Sequence, residues 1–241
     1  MYRFHVRIVK CVFHFGYERT VLNLTCDAIL FDLDGVLIDS NHFYEEHWRI
    51  WANRRGVSYD HILEVHHGRP ARETIRIVAP DLNAQSEAEA FRDELIRSNL
   101  LKQVRPFPHV LPLLTDLPPN RWAIATSAPR TSALNMLYYA EIPLPKIIIC
   151  GDDVDQGKPA PDPYLQAASG LDCRIDQCVV IEDAPAGIRS GQSAGAYVIA
   201  VQTTHKRSHL HKADTIVNCI ADLHIENTGN HLQITSHSTK Y

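Results

Sequence analysis

Five short runs decide most of what this chain can become: Ala28–Phe31 (AILF), Trp122–Ala125 (WAIA), Lys146–Cys150 (KIIIC), Cys178–Ile181 (CVVI) and Tyr197–Val201 (YVIAV). Each is too short for a helix and is followed by a turn and then by helical periodicity, the pattern of strand–helix units in a parallel sheet. The apolarity does not alternate from residue to residue, so both faces of each strand must be covered, and helices are expected on both sides. The expected fold is an α/β three-layer sandwich around a parallel sheet.

Residues 41–104 have a different texture. FYEEHWRIWANRR and the stretch Ser86–Gln103 read as helices at a 3.6-residue period, with few strand-like runs between them. A small helical insertion is therefore expected after the first strand. It returns to the core near Pro106 and Pro108, whose fixed φ suits a linker between domains. Glu45, Trp48 and Trp51 fall together on its first helix, and the tryptophans are expected to form its core.

The core is thus expected to comprise 24–40 and 105–225, with the insertion over 41–104, an N-terminal extension over 1–23, and a polar, poorly packed tail over 226–241. The extension has three readings: an added strand, a loose segment, or the product of an upstream start codon. Its Lys10 and His14 interrupt any signal-peptide core, so a cytoplasmic address is expected.

Composition narrows the function classes. A hydrophobic fraction of 45% with 22% charged residues belongs to an ordinary globular chain. The formal net charge of −4, without a basic block, argues against nucleic acid as a partner. No apolar run approaches the ~20 residues of a membrane span. The six cysteines lack a CxxC pair and read as buried thiols, and the fourteen histidines show no HExxH or other compact ligand spacing. A monomer or weak homodimer is expected, with neither nucleic acid nor a membrane as partner.

The chemistry is written in the residues just beyond the strand-like runs. AILF leads into Asp32-Leu33-Asp34-Gly35, WAIA into Thr126-Ser127, KIIIC into a loop reaching Lys158-Pro159, and CVVI into Glu182-Asp183. Ligands of an open parallel sheet bind beyond the carboxyl ends of its strands, so these segments should share one rim. Carboxylates, hydroxyls and one lysine suit phosphoryl transfer, which needs neutralised charge and a nucleophile in line with the leaving oxygen. Asp32 and Asp183 offer hard oxygen ligands suited to Mg²⁺, and Glu182 is a further candidate ligand. Thr126, Ser127 and Lys158 are placed to hold phosphate oxygens. Asp34 can act as general acid toward the leaving group and later as base toward water.

Taken singly, each of these has an ordinary explanation. A lone DxDG is often a turn, Thr126-Ser127 and Glu182-Asp183 can cap helices, and a loop lysine is usually solvated. The occurrence of all four after strands, in this order, carries the reading. Gly187, Gly191 and Gly195 recur every four residues after Asp183 and are expected to let that helix and its exit approach the sheet.

FDLDGVLIDS, IATS, GKPAPDPYL and VIEDAPAGIRSGQSAGA resemble the four successive motifs of the haloacid dehalogenase superfamily, over Ala28 to Val201. The resemblance implies a Rossmann-like core with a helical cap of the C1 type. It also implies Asp32 as nucleophile, Asp34 as acid and base, and Thr126 and Lys158 as phosphoryl ligands. Mg²⁺ would be held by Asp32, the main-chain carbonyl of Asp34, and Asp183.

HHGRPARETIRIVAPDL, RWAIATSAPR and GKPAPDPYL further resemble the sugar- and polyol-phosphate phosphatases, such as those acting on 2-deoxyglucose 6-phosphate and glycerol 3-phosphate. On that resemblance His67, Arg69 and Arg130 are candidate substrate contacts, while Arg72 reads rather as a solvated helix face. The rival enzyme reading is a β-phosphoglucomutase-like mutase. Such mutases place a histidine five residues after the position of Asp39, where this chain has Tyr44. A phosphonatase would place a Schiff-base lysine in the cap, whose one lysine here is Lys102 near its end. A non-catalytic binding module on the same fold is the alternative from another class, and the presence of all five core residues weighs against it.

Overall fold

A computed structural model of the chain describes residues 9–12, 18–66, 70–98 and 100–238. At its centre lies a six-stranded sheet in the order β10-β9-β8-β3-β6-β7. The strands are β3 (Ala28–Phe31), β6 (Trp122–Ala125), β7 (Ile148–Ile149), β8 (Cys178–Glu182), β9 (Tyr197–Val201) and β10 (Thr215–Val217). All pairings are parallel, with Phe31 in register with Ile124 on one side and with Ile181 on the other. The expected third strand is shortened to Ile148–Ile149, at the sheet edge, where a single neighbour supports it.

Successive residues of the central strands point into two different cores. Ala28, Leu30, Val180 and Val198 pack against Tyr164, Ala167 and Ile188 of α7 (Asp162–Gly170) and α8 (Pro185–Ala194). Ile29, Phe31, Val179 and Ile181 face Val110, Met136 and Leu137 of α5 (Val110–Asp116) and α6 (Arg130–Tyr139). Both faces are covered, which is what makes uninterrupted apolar strands stable in water.

Helices are not the whole of that second layer. Leu22, Leu24, Leu232 and Ile234 join the same core from an antiparallel sheet of order β1-β2-β12-β11. It comprises β1 (Val9–Val12), β2 (Glu18–Cys26), β11 (Leu223–Asn227) and β12 (Leu232–Ser238). The poorly packed tail expected over 226–241 is thus corrected: much of it is a hairpin whose second strand pairs with β2, from Leu232↔Cys26 to Ser238↔Thr20. The alternation in LQITSHS buries Leu232, Ile234 and Ser236 while the intervening Gln233 and Thr235 stay half-buried, so a strand with one wet face reads as polar.

The helical cap stands on a two-stranded ribbon of β4 (Ile38–Asp39) and β5 (Arg105–Pro106). Between them run α1 (Asn41–Arg55), α2 (Tyr59–Val65), α3 (Ala71–Val78) and α4 (Ala84–Arg97). Trp48, Trp51, Ile62, Ile75 and Phe91 form a core of their own, as expected for the tryptophans. The Trp51 indole N–H donates to Glu87 Oε2 at 3.0 Å, so the buried ring keeps its polar edge satisfied.

The glycine reading after Asp183 holds in part. A Cβ at Gly187 would collide with the Glu182 carboxylate, and one at Gly191 would stand 2.9 Å from Val198. Gly195 instead has open space around it and a φ of 94°, so it ends α8 in the left-handed conformation rather than serving packing. Cys26, Cys150, Cys173, Cys178 and Cys219 are free thiols, with Cys26, Cys150 and Cys178 buried. Among the described residues, no helix is long and apolar enough to cross a membrane.

Candidate active site

The carboxyl ends of β3, β6 and β8 converge on one rim. Asp32 follows β3, with its main-chain N–H donating to the Ile181 carbonyl at 3.0 Å, which locks the start of the DxDG turn to the neighbouring strand. Gly35 closes that turn at φ 76°, and a side chain there would collide with Asp183 Oδ2. Lys158 arrives from the loop before α7. Its ammonium donates to Asp32 Oδ1 and to Glu182 Oε1, each at 2.7 Å, with its side chain 5% exposed.

Glu182, wholly buried, is the hub of the rim. Oε1 also accepts from the Tyr164 hydroxyl at 2.9 Å, and Oε2 accepts from the main-chain N–H groups of Asp183 and Ala184 at 2.9 and 3.1 Å. A buried carboxylate with this many donors is fully hydrogen-bonded, and it aims Lys158 at Asp32. Asp32, Glu182 and Asp183 bring one carboxylate oxygen each within 4.8 Å of one another.

The electrostatics are unbalanced. Four carboxylates, those of Asp32, Asp34, Glu182 and Asp183, face one ammonium. Burial, then the charges of Glu182 and Asp34, push the Asp32 carboxyl up to about 7 against the pull of Lys158. Burial also raises Asp183, helped by Glu182 and Asp32, and raises Asp34 against a hydrogen bond from Ser40. Lys158 is held above the usual lysine range because Asp32 and Glu182 outweigh its own burial. Asp34 Oδ1 is buried without a hydrogen-bond partner. Hard oxygen donors, packed closely and short of positive charge, fit a divalent cation.

The other expected residues divide. Thr126, buried at the end of β6, accepts from the Ala128 N–H at 3.0 Å, while Ser127 is exposed. Arg130 is given a different task from the expected substrate contact. Its guanidinium pairs with Asp153 at 2.5 Å and donates to the Ile148 carbonyl at 3.1 Å, tying the start of α6 to the loop after β7. Arg72 lies on the cap surface, 3.4 Å from Gln85 Oε1. His67 and Arg69 lie outside the described residues. Tyr44 of α1 stands near the rim: burial, then the charges of Asp34 and Asp32, hold its phenol well above the ordinary tyrosine range.

Three participants were missed in the sequence. Tyr164, in GKPAPDPYL, reads there as one more helix residue. Thr203 and Thr204 follow YVIAV after one intervening residue, Gln202, and the rule that strand ends carry the chemistry, extended to this fifth strand, would have found them. The Thr203 hydroxyl donates to the Gly35 carbonyl, and the Thr204 hydroxyl donates to Asp183 Oδ2.

A parallel α/β sheet with an acidic, lysine-bearing rim at its strand ends and a helical cap inserted after the first core strand defines a capped hydrolase of the Rossmann-like class. The chain belongs to the haloacid dehalogenase-like hydrolase family, whose model matches residues 29–201. Hexitol phosphatase A of Escherichia coli (strain K12) is 35% identical over 205 residues, covering 83% of this chain and 94% of that protein. Glycerol-1-phosphate phosphohydrolase 2 of Saccharomyces cerevisiae is 34% identical over 200 residues, covering 78% of this chain and 80% of its own. A crystal structure of a family IA, variant 3 hydrolase from Entamoeba histolytica superposes with a TM-score of 0.72 at 26% identity, covering 85% of this chain and 96% of that one. The resemblance to sugar- and polyol-phosphate phosphatases read from the motifs is borne out by these relatives.

Proposed function

We propose that the protein is a Mg²⁺-dependent phosphatase that hydrolyses a small sugar or polyol phosphate through a phosphorylated Asp32. The observation that carries the reading is the Lys158 ammonium held 2.7 Å from Asp32 by the buried Glu182, beside Asp183, in a pocket short of positive charge. The relatives, a hexitol phosphatase and a glycerol-1-phosphate phosphohydrolase, support the substrate class.

Asp32, Asp183 and the main-chain carbonyl of Asp34 would hold Mg²⁺. Once bound, it supplies the positive charge that lets an anionic carboxylate approach an anionic phosphate. Glu182 is not needed as a ligand, since Lys158, Tyr164 and two main-chain N–H groups already engage it.

In the first step a carboxylate oxygen of Asp32 attacks phosphorus. The bond from phosphorus to the substrate oxygen breaks, and protonated Asp34 passes its proton to that oxygen, releasing the alcohol. In the second step water attacks the same phosphorus, its proton returns to Asp34, and the bond to Asp32 breaks to release inorganic phosphate. Lys158 and Thr126 hold the remaining phosphoryl oxygens. The raised Asp34 carboxyl suits an acid that must carry its proton into the first step. Tyr44, its phenol kept neutral by burial and by the charges of Asp34 and Asp32, stands where the mutases carry a histidine, which favours hydrolysis over return of phosphate to the sugar.

The test is phosphate release from hexitol, hexose, pentose and glycerol phosphates, with and without Mg²⁺, alongside glucose 1- and 6-phosphate interconversion. Magnesium-dependent release from one polyol or sugar class is expected. Interconversion without net release would replace the phosphatase reading with a mutase, and inactivity on every compound would replace it with a binding module.

A further inference from the structure

The loop after β9 contributes to the rim without belonging to any of the four motifs. β9 runs beside β8 with Glu182 opposite Ala200, so the residues that leave β9 pass next to Asp183. Thr203 and Thr204 use their hydroxyls there on two different partners, the Gly35 carbonyl and Asp183 Oδ2. The loop thereby joins the DxDG turn to the carboxylate that follows β8. Room is scarce: a Cβ on Gly35 would collide with Asp183 Oδ2 and stand 2.8 Å from Thr204 Cγ2. Behind Thr204, the His205 Nδ1 lies 2.8 Å from the same hydroxyl.

We propose that Thr204, backed by His205, is a positioning residue that fixes the Asp183 carboxylate for cation binding. The proposal rests on the cation-dependent reading of the rim. A carboxylate that holds a cation can only accept hydrogen bonds, and a threonine hydroxyl has one proton to give. That proton goes to Asp183 Oδ2, so the hydroxyl can only accept from His205, which must carry its proton on Nδ1. The order of donors is His205 to Thr204 to Asp183, and it leaves the other Asp183 oxygen to face the ion. Groups that hydrogen-bond to a metal-holding carboxylate fix its orientation before the ion arrives, so their loss is felt as metal affinity.

The experiment is titration of the metal-free full chain with Mg²⁺ by calorimetry and with Mn²⁺ by the paramagnetic resonance signal of the free ion. Thr204→Val, which keeps the shape and removes the hydroxyl, is expected to weaken both affinities by about 10–100-fold. Thr204→Ser is expected to restore them, and His205→Phe to weaken them by less than Thr204→Val does. Native affinity in Thr204→Val overturns the positioning role, as does an equal loss in Thr204→Ser, which would mark a packing effect. Should Thr204→Val fail to fold, Thr204→Ala and His205→Phe carry the same test, and native affinity in both overturns the proposal. A native chain that binds neither ion would overturn the cation reading itself, and the positioning role with it.

Discussion

The rim and the cap use the same ion-pair chemistry to opposite ends. On the rim, Lys158 pairs with Asp32 and Glu182 with side chains 5%, 12% and 1% exposed. In the cap, Arg54 pairs with Glu94 through both terminal guanidinium nitrogens, and these side chains are 41% and 37% exposed. Among the described residues, the buried acidic side chains are Asp32, Glu182 and Asp183, all on the rim. The cap buries Trp48, Trp51 and Phe91 instead, with His47 and His66, and none of its described carboxylates or arginines is fully buried. A region that must stabilise charge on a phosphoryl group has to exclude water and accept the desolvation cost. The cap has an apolar cluster of its own, and its helices pack together without buried carboxylates.

The contrast can be broken first at Asp32. Asp32→Asn is expected to lower turnover by about three orders of magnitude or more while leaving the circular dichroism spectrum and the unfolding midpoint close to native. Activity surviving in this variant would remove the rim from the chemistry.

Lys158→Met asks what the buried pair is worth. It strips Asp32 and Glu182 of their counter-charge, and urea unfolding of the metal-free chain should show a loss of about 3–5 kcal/mol. A loss near zero would mean that water reaches the carboxylates and that the rim is no drier than the cap.

A smaller effect is expected from Mg²⁺ and pH together. The Asp32 carboxyl is raised from 3.8 to about 7 in the metal-free protein. The fold therefore favours its protonated form, and that stabilisation is present below about pH 4 and is lost as pH rises through about 7. Mg²⁺ requires the ionised form, so it competes with protons. At a concentration about 100 times its Kd, Mg²⁺ should add about 2–3 kcal/mol near pH 8 and clearly less near pH 5.5. Equal thermal shifts at the two pH values would argue that the ion binds away from Asp32.

Least affected should be Arg54→Met in the cap, with a change under about 1 kcal/mol that fades further in salt. A loss comparable to that of Lys158→Met would erase the distinction between the two regions.

Local signals were enough for a large part of this molecule. Uninterrupted apolarity in AILF, WAIA and CVVI implied a sheet covered on both faces, and the segments that follow AILF, KIIIC and CVVI pointed to Asp32, Lys158 and Asp183, which lie together on one rim because strand ends in a parallel sheet share one side. The placing of Trp48 and Trp51 one helical turn apart was enough to locate a core inside the cap.

Other features depend on partners far away in the chain, and no local pattern encodes them. The strand character of LQITSHS appears only once β2, more than two hundred residues earlier, supplies its hydrogen bonds and a face to bury. Arg130 reads as a substrate contact beside Thr126-Ser127, yet Asp153, brought close by the β6–β7 pairing, satisfies it first. Tyr164 and Thr204 look like ordinary helix and loop residues until the fold sets one against Glu182 and the other against Asp183. The sequence by itself determined which chemical groups are available and at which strand ends. The tertiary structure alone decided which of them are buried together, because desolvation and hydrogen-bond pairing depend on three-dimensional neighbours rather than on the residues next along the chain.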